Sequence, residues 1–308
     1  MVVVALGVAA LAAGCSSDTP APAPPPVISP ARPVAELPLT PIAGRREVLV
    51  VGGPFMAEVY QALAAATSTA PYVKLTDMTR SYAELRPINL DLASAWQADL
   101  DQYRPAVVIA HLVFTAPLFQ CQGTPEKRAS CESEGYKLAF TVALSELYEQ
   151  LSSEGAHVVW IGYPPLFKGR GPAVERSVVY NEIADKFAQS HADFTYIDLG
   201  TALAPEGNYA SYLPEIGGAF RQARMPDGYQ LCPHGAALVA DQVAAVMVPD
   251  WEPNITASWV EGPWRLDPAF SDQTVTGLTG PPCDDTRSIE VKTITHLDLG
   301  RYTGDPIG

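Results

Sequence analysis

Five short apolar runs punctuate the body of the chain: Glu47–Val51, Tyr72–Leu75, Ala106–Ala110, His157–Ile161 and Phe194–Asp198. Three of them (EVLVV, AVVIA and HVVWI) are almost continuously apolar, the pattern of strands covered on both faces in a parallel sheet. Between the runs, apolar residues recur at helical spacing. Phe55, Val59 and Leu63 lie at i, i+4 and i+8; Phe140, Leu144, Leu147 and Leu151 form a second stripe. Val179, Ile183 and Phe187 form a third, and Val239, Val243 and Val246 a last one. Strand–helix alternation of this kind predicts an α/β domain with a doubly wound, three-layer, flavodoxin-like arrangement around a parallel five-stranded sheet. No internal repeat interrupts it.

The pattern changes at both ends. MVVVALGVAALAAGC at the start is an apolar run too short to span a bilayer and ends in small residues, as a signal peptide does. Residues 16–44 hold nine prolines and little periodicity, the composition of an extended tether. Beyond Asp250 the periodicity fades, yet Trp251, Trp259 and Trp264 argue against a disordered tail. The expected organisation is a leader over 1–15, a tether over 16–44, an α/β domain over 45–250 and an irregular extension over 251–308 that covers the domain.

Charge and cysteines narrow the class of partner. With 20 Lys+Arg against 34 Asp+Glu among 308 residues, the net charge is −14. Such a chain is not built to neutralise phosphates, so nucleic acid is excluded as a main partner. Cys15 ends the leader, which leaves Cys121, Cys131, Cys232 and Cys283. In an exported chain an even set favours disulfides. Of the three possible pairings we favour Cys121–Cys131, closing a local loop, with Cys232–Cys283 pinning the C-terminal segment. There is no Cys-x-x-Cys pair, and Asp77, Asp227, His111 and His234 lack a recognised ligand spacing, so neither metal nor cofactor is expected.

Leu11-Ala12-Ala13-Gly14-Cys15 resembles the lipobox of bacterial lipoproteins, in which the cysteine is lipidated. No Lys or Arg precedes the apolar run, a departure from the usual leader. The resemblance implies export and a lipid anchor at Cys15 on the outer face of the cell membrane, in the cell envelope.

Several ordered blocks between about Arg46 and Pro249 resemble the SGNH (GDSL-type) hydrolases. The turn Val51-Gly52-Gly53-Pro54 resembles the Gly-Asp-Ser block, Arg104–Ile109 and the residues after it the third block, and His157–Pro165 the fourth strand and its exit. Asn181 is expected to open a helix, and Pro226-Asp227-Gly228-Tyr229-Gln230-Leu231-Cys232-Pro233-His234-Gly235 resembles the closing block. Ligands of such a sheet bind at the carboxyl ends of its strands. The resemblance places the family's nucleophile at Pro54, its acidic neighbour at Gly53, its third-block Asn at about Thr115 and its catalytic His at Gln230, with Asp227 retained. Proline has neither hydroxyl nor backbone N–H, so nucleophile and oxyanion donor are lost together. An amide cannot act as a general base at neutral pH. Pro54 instead suits the first position of a helix, where its missing N–H and fixed φ cost nothing.

The expectation is therefore a catalytically degenerate member. Gly53, Thr79, Ser81, His111, Thr115, Asp227, Gln230 and His234 are the candidates for lining its cleft, with Tyr163, Trp160, Phe114 and Tyr229 as aromatic neighbours and Trp160 assigned to the core. Because proteins of this fold often work with acyltransferases, the resemblance implies a cell-wall polysaccharide or a membrane acyltransferase as partner: binding of a glycan or acyl ligand, or assistance to polysaccharide acylation. The alternative is an active esterase or O-acyltransferase with relocated groups, such as Ser81 with His111 or His234 and Asp227.

Overall fold

A computed structural model describes residues 46–70, 72–81, 96–112, 134–167, 172–205, 207–215, 219–248, 259–271 and 283–284. Five parallel strands form the central sheet: β1 (Arg46–Gly52), β2 (Val73–Thr79), β3 (Val107–His111), β4 (His157–Ile161) and β5 (Phe194–Ile197). Their spatial order is β2-β1-β3-β4-β5, with every neighbouring pair parallel. The chain thus winds one way from β1 to β2 and the other way from β3 onward. The order reverses between β1 and β3, where Gly52 is in register with His111. That switch point, at the carboxyl ends of the strands, is the ligand position of such sheets.

The apolar runs became strands for the expected reason. Val48–Val51 and Val107–Ala110 are each at most 2% exposed, so both faces of the two central strands are covered. One boundary moved. The second strand starts a residue late and continues to Thr79, because Lys74, Thr76 and Asp77 interrupt the apolar pattern while the backbone keeps full pairing with β1. Thr79 therefore ends β2 instead of lying in the loop after it, and Ser81 is two residues beyond the strand.

Among the described residues six helices accompany the sheet: α1 (Pro54–Ala66), α2 (Gln97–Tyr103), α3 (Glu134–Leu151), α4 (Pro172–Ala188), α5 (Gly200–Leu203) and α6 (Pro233–Met247). The stripes on α1, α3 and α6 are buried as their spacing predicts, with Phe55, Val59, Leu63, Phe140, Leu144, Leu147, Leu151, Val239, Val243 and Val246 all in the core. On α4 the buried line is Ser177, Tyr180, Ala184 and Phe187, and Val179 and Ile183 lie on its flank. Asn181 lies inside α4 instead of opening it. Its amide exchanges two hydrogen bonds with the backbone of Tyr163, donating to the carbonyl at 2.9 Å and accepting the N–H at 2.8 Å. The exit of β4 is thereby fixed to the helix that follows.

Two features were invisible in the periodicity. Tyr212–Pro214 (β6) and Phe220–Gln222 (β7) pair antiparallel, each too short to set up an alternation. After the domain, 259–271 includes two short 3-10 turns, Pro263–Leu266 and Pro268–Phe270; Val260, Arg265 and Phe270 are buried, and Trp259 and Trp264 pack on the core. Cys232, just before α6, is disulfide-bonded to Cys283. Cys121 and Cys131 lie outside the described residues, as do Cys15, Phe114, Thr115 and Trp251. No helix among the described residues is long and apolar enough to cross a membrane.

Candidate functional site

The turn after β1 is where the sheet's switch point meets a helix. Gly52 has φ +147, and a Cβ there would lie 2.5 Å from the carbonyl oxygen of His111, so only glycine lets β1 pass this close to β3. Gly53 caps α1 without a side chain: its carbonyl accepts from the N–H of Met56 at 2.8 Å and of Ala57 at 3.3 Å. Pro54 is the first helical residue. The elbow offers neither a hydroxyl nor an N–H at that position.

Beneath the elbow the space is filled. His111 is 1% exposed and its ring sits against Phe55, Tyr163 and Tyr229, with centroids 4.7, 4.9 and 6.0 Å away. Both ring nitrogens are engaged. Nδ1 donates to the carbonyl of Ile161 at 2.8 Å, and Nε2 accepts from the Tyr229 hydroxyl at 2.5 Å. Burial pushes the imidazole down to about 4, against the partial support of the Ile161 carbonyl, so the ring is neutral at neutral pH. Tyr163 donates from its hydroxyl to the Leu112 carbonyl at 3.2 Å. Tyr163, Trp160 and Tyr229 are all buried, the first and last contacting each other and His111. Of the aromatic residues named as neighbours of a cleft, Tyr163 and Tyr229 pack on His111, while Trp160 stacks on Phe194 in the core.

The loop from Arg224 to Leu231 supplies the other half of the site. It is a tight turn with Arg224 bridged to Leu231, Met225 N–H on the Gln230 carbonyl, and Gly228 at φ +71. Asp227 Oδ1 accepts from the N–H groups of Tyr229 and Gln230 at 3.0 and 2.9 Å. That carboxylate shapes the turn, as an Asx residue does. Gln230 is 2% exposed, and its side-chain Nε2 meets Glu58 Oε1 at 2.9 Å; Leu231 N–H donates to Glu58 Oε2 at 2.7 Å. Glu58 is fully buried on α1. Burial raises its carboxyl well above the ordinary value, Asp227 adds to the rise, and the hydrogen bonds of Leu231 and Gln230 together with the charge of Arg224 oppose it.

Arg224 is also fully buried. Its guanidinium donates to the carbonyls of Pro165 at 3.3 Å and Tyr229 at 3.5 Å and lies over the Tyr209 ring. Burial lowers it to about 10, with Tyr209, Asp227, Tyr229 and Glu58 pulling the other way. Neither Glu58 nor Arg224 was singled out from the sequence. One signal existed: Glu58 falls on the same stripe as Phe55 and Ala62, three residues after one and four before the other, where a polar residue must be buried.

The expected cleft residues thus separate. Asp227, Gln230 and Glu58 form one hydrogen-bonded cluster, and His111 with Tyr229 another, joined through the loop. Gly53, Pro54 and Thr79 are half-buried and Ser81 is exposed, on the rim. His234 is in the first turn of α6, 6% exposed. A relay from Ser81 through His111 meets an obstacle, because both imidazole nitrogens already have partners inside the fold. Among the described residues no group of three or more His, Cys, Asp or Glu side chains could hold a metal ion.

These observations define an α/β domain with a five-stranded parallel sheet, doubly wound around a switch point where Phe55, Tyr163 and Tyr229 pack on His111. Residues 47–246 match the family described as "Protein of unknown function (DUF459)", and the chain belongs to that family. No curated protein matches the sequence. Similar solved structures include a catalytic mutant of Axe2, an acetylxylan esterase from Geobacillus stearothermophilus (12% identity, 68% of this chain and 97% of that one, TM-score 0.48). A member of the lipolytic G-D-S-L family from Veillonella parvula is similar over 66% of this chain and 98% of its own (12% identity, TM-score 0.45). So is a putative lipolytic G-D-S-L protein from Desulfitobacterium hafniense (13% identity, 66% and 100%, TM-score 0.43).

Proposed function

We propose that the chain is an envelope lipoprotein whose SGNH-like domain does not hydrolyse esters and works by binding. One observation carries this reading: the residue at the general-base position is an amide, Gln230, whose side chain is committed to the buried Glu58. With proline at the nucleophile position, neither the attacking group nor the base is supplied. The buried, mutually packed His111, Tyr163 and Tyr229 side chains lie beneath the elbow and support this reading. Ligand contact falls instead to the rim, where Gly53, Pro54, Thr79 and Ser81 offer backbone and hydroxyl groups suited to sugar hydroxyls. The ligand class is an envelope glycan or its acyl substituent, and the task is binding it or assisting its acylation. Cys15 supplies the anchor and residues 16–44 the reach.

The test uses the full chain with short-chain p-nitrophenyl esters, a fluorophosphonate probe and envelope glycan fragments. The expected result is no turnover and no labelling, with a raised melting temperature in the presence of glycan. A fragment at about a hundred times its dissociation constant adds roughly 2.7 kcal/mol. Turnover abolished by Ser81→Ala or His234→Ala would instead establish a working esterase with relocated groups.

A further inference from the structure

Glu58 is the most deeply placed carboxyl among the described residues: it is 0% exposed, on the helix that begins at the elbow. Among the described residues its two oxygens meet groups from one turn far away in sequence, Gln230 Nε2 at 2.9 Å and Leu231 N at 2.7 Å. The charged groups that act on it are Asp227, in that same turn, and Arg224 at its base. The hydrogen bonds of Arg224 go to the carbonyls of Pro165 and Tyr229, so the guanidinium does not neutralise Glu58 by direct pairing. An ionised Glu58 would be a buried anion held by a neutral amide and one backbone N–H, with a second carboxylate nearby. That is a costly arrangement.

A neutral acid solves the same geometry differently. It accepts through one oxygen and donates through the other. Leu231 N–H is the donor it needs. The acceptor it needs is the oxygen of the Gln230 amide, which is isosteric with the NH2 group and reaches the same 2.9 Å when the amide is turned end for end. As placed, Gln230 Oε1 is buried without a hydrogen-bonding partner among the described residues.

We propose that Glu58 is a neutral carboxylic acid at physiological pH, donating from Oε1 to the Gln230 amide oxygen and accepting from Leu231 N–H. Acid and amide together latch the Met225–Leu231 turn onto α1. The side chain at the family's base position thus serves as the acceptor of a structural acid. This stands apart from whether the chain hydrolyses esters and is tested separately.

The sign of the pH effect follows from burial. The carboxyl holds its proton more tightly folded than unfolded, so the latch contributes fully below the ordinary carboxylate range. Its contribution is lost as pH rises through the folded value. Glutamine at position 58 copies the neutral acid, donating to Gln230 and accepting from Leu231 at every pH. The experiment follows the glutamate side-chain carboxyl 13C resonances of the full chain across pH, with thermal unfolding of wild type, Glu58→Gln and Glu58→Ala. Expected are one glutamate resonance still at its protonated shift at neutral pH and a Glu58→Gln melting temperature close to wild type there. That variant should lack the alkaline decline, and Glu58→Ala should melt well below both. A full set of ionised glutamate resonances at neutral pH overturns the proposal whatever the variants do, as does Glu58→Gln melting as low as Glu58→Ala.

Discussion

His111 condenses the chemistry of the elbow into one side chain. A strand-end histidine beside a switch point reads from sequence as a base, but burial and two committed nitrogens make it a neutral packing group. Its pKa falls from 6.5 to about 4, so between those values the unfolded chain binds a proton that the folded one refuses. Stability from this residue is complete above about pH 6.5 and is lost as pH falls toward 4, a decline of about 3 kcal/mol. Urea unfolding at stepped pH should show it, and His111→Gln, which does not titrate, should flatten that part of the curve. Pro54 gives a second residue-scale prediction. Pro54→Ser restores a hydroxyl but leaves Gln230 in place, so ester turnover should stay at background. The change in stability should be under about 1 kcal/mol, since only the preset φ of proline is lost. Pro54 and Gln230 could be read in the sequence because a motif gives each a position. Glu58 and Arg224 could not, because a buried charge announces itself only when the contacts on all sides are known.

Among elements, the contact between α1 and α6 holds the site's two halves together, and a glycine sets how closely α6 approaches the residue after β7. A Cβ at Gly235 would collide with the Ala223 carbonyl, a backbone atom in the turn's own ladder. Gly235→Ala should therefore cost about 3 kcal/mol in chemical denaturation, the scale of a clash that cannot relax. The Cys232–Cys283 bridge closes a loop with a sequence separation of 51 and fastens the C-terminal strap to the start of α6, where Asp284 N–H also donates to Gln222 at 2.8 Å. Chain-entropy reasoning gives it about 4 kcal/mol, so reductant should lower the melting temperature, and Cys283→Ser should reproduce the reduced value. The long elements were legible because burial on two faces or one stripe leaves a period in the sequence. β2 was half legible, since its edge position lets polar residues enter. The hairpin β6–β7 left no period because three residues per strand cannot make one.

At the scale of the whole molecule, the sheet and its switch point follow from the order of the apolar runs, and the family match spans 47–246. What the sequence could not convey is whether the switch point is open. That depends on side chains from β3, the exit of β4, α1 and the 224–231 loop meeting in one place. Among the described residues they meet as an imidazole packed on three other aromatic rings and, beside it, an amide hydrogen-bonded to an acid. Whether this elbow performs ester chemistry is read most directly by covalent labelling of the full chain with a fluorophosphonate probe, followed by mass spectrometry. No adduct is expected on any serine, in the wild type or after Pro54→Ser. A stoichiometric adduct on a serine of the wild-type chain, at Ser81 or elsewhere, would contradict this expectation.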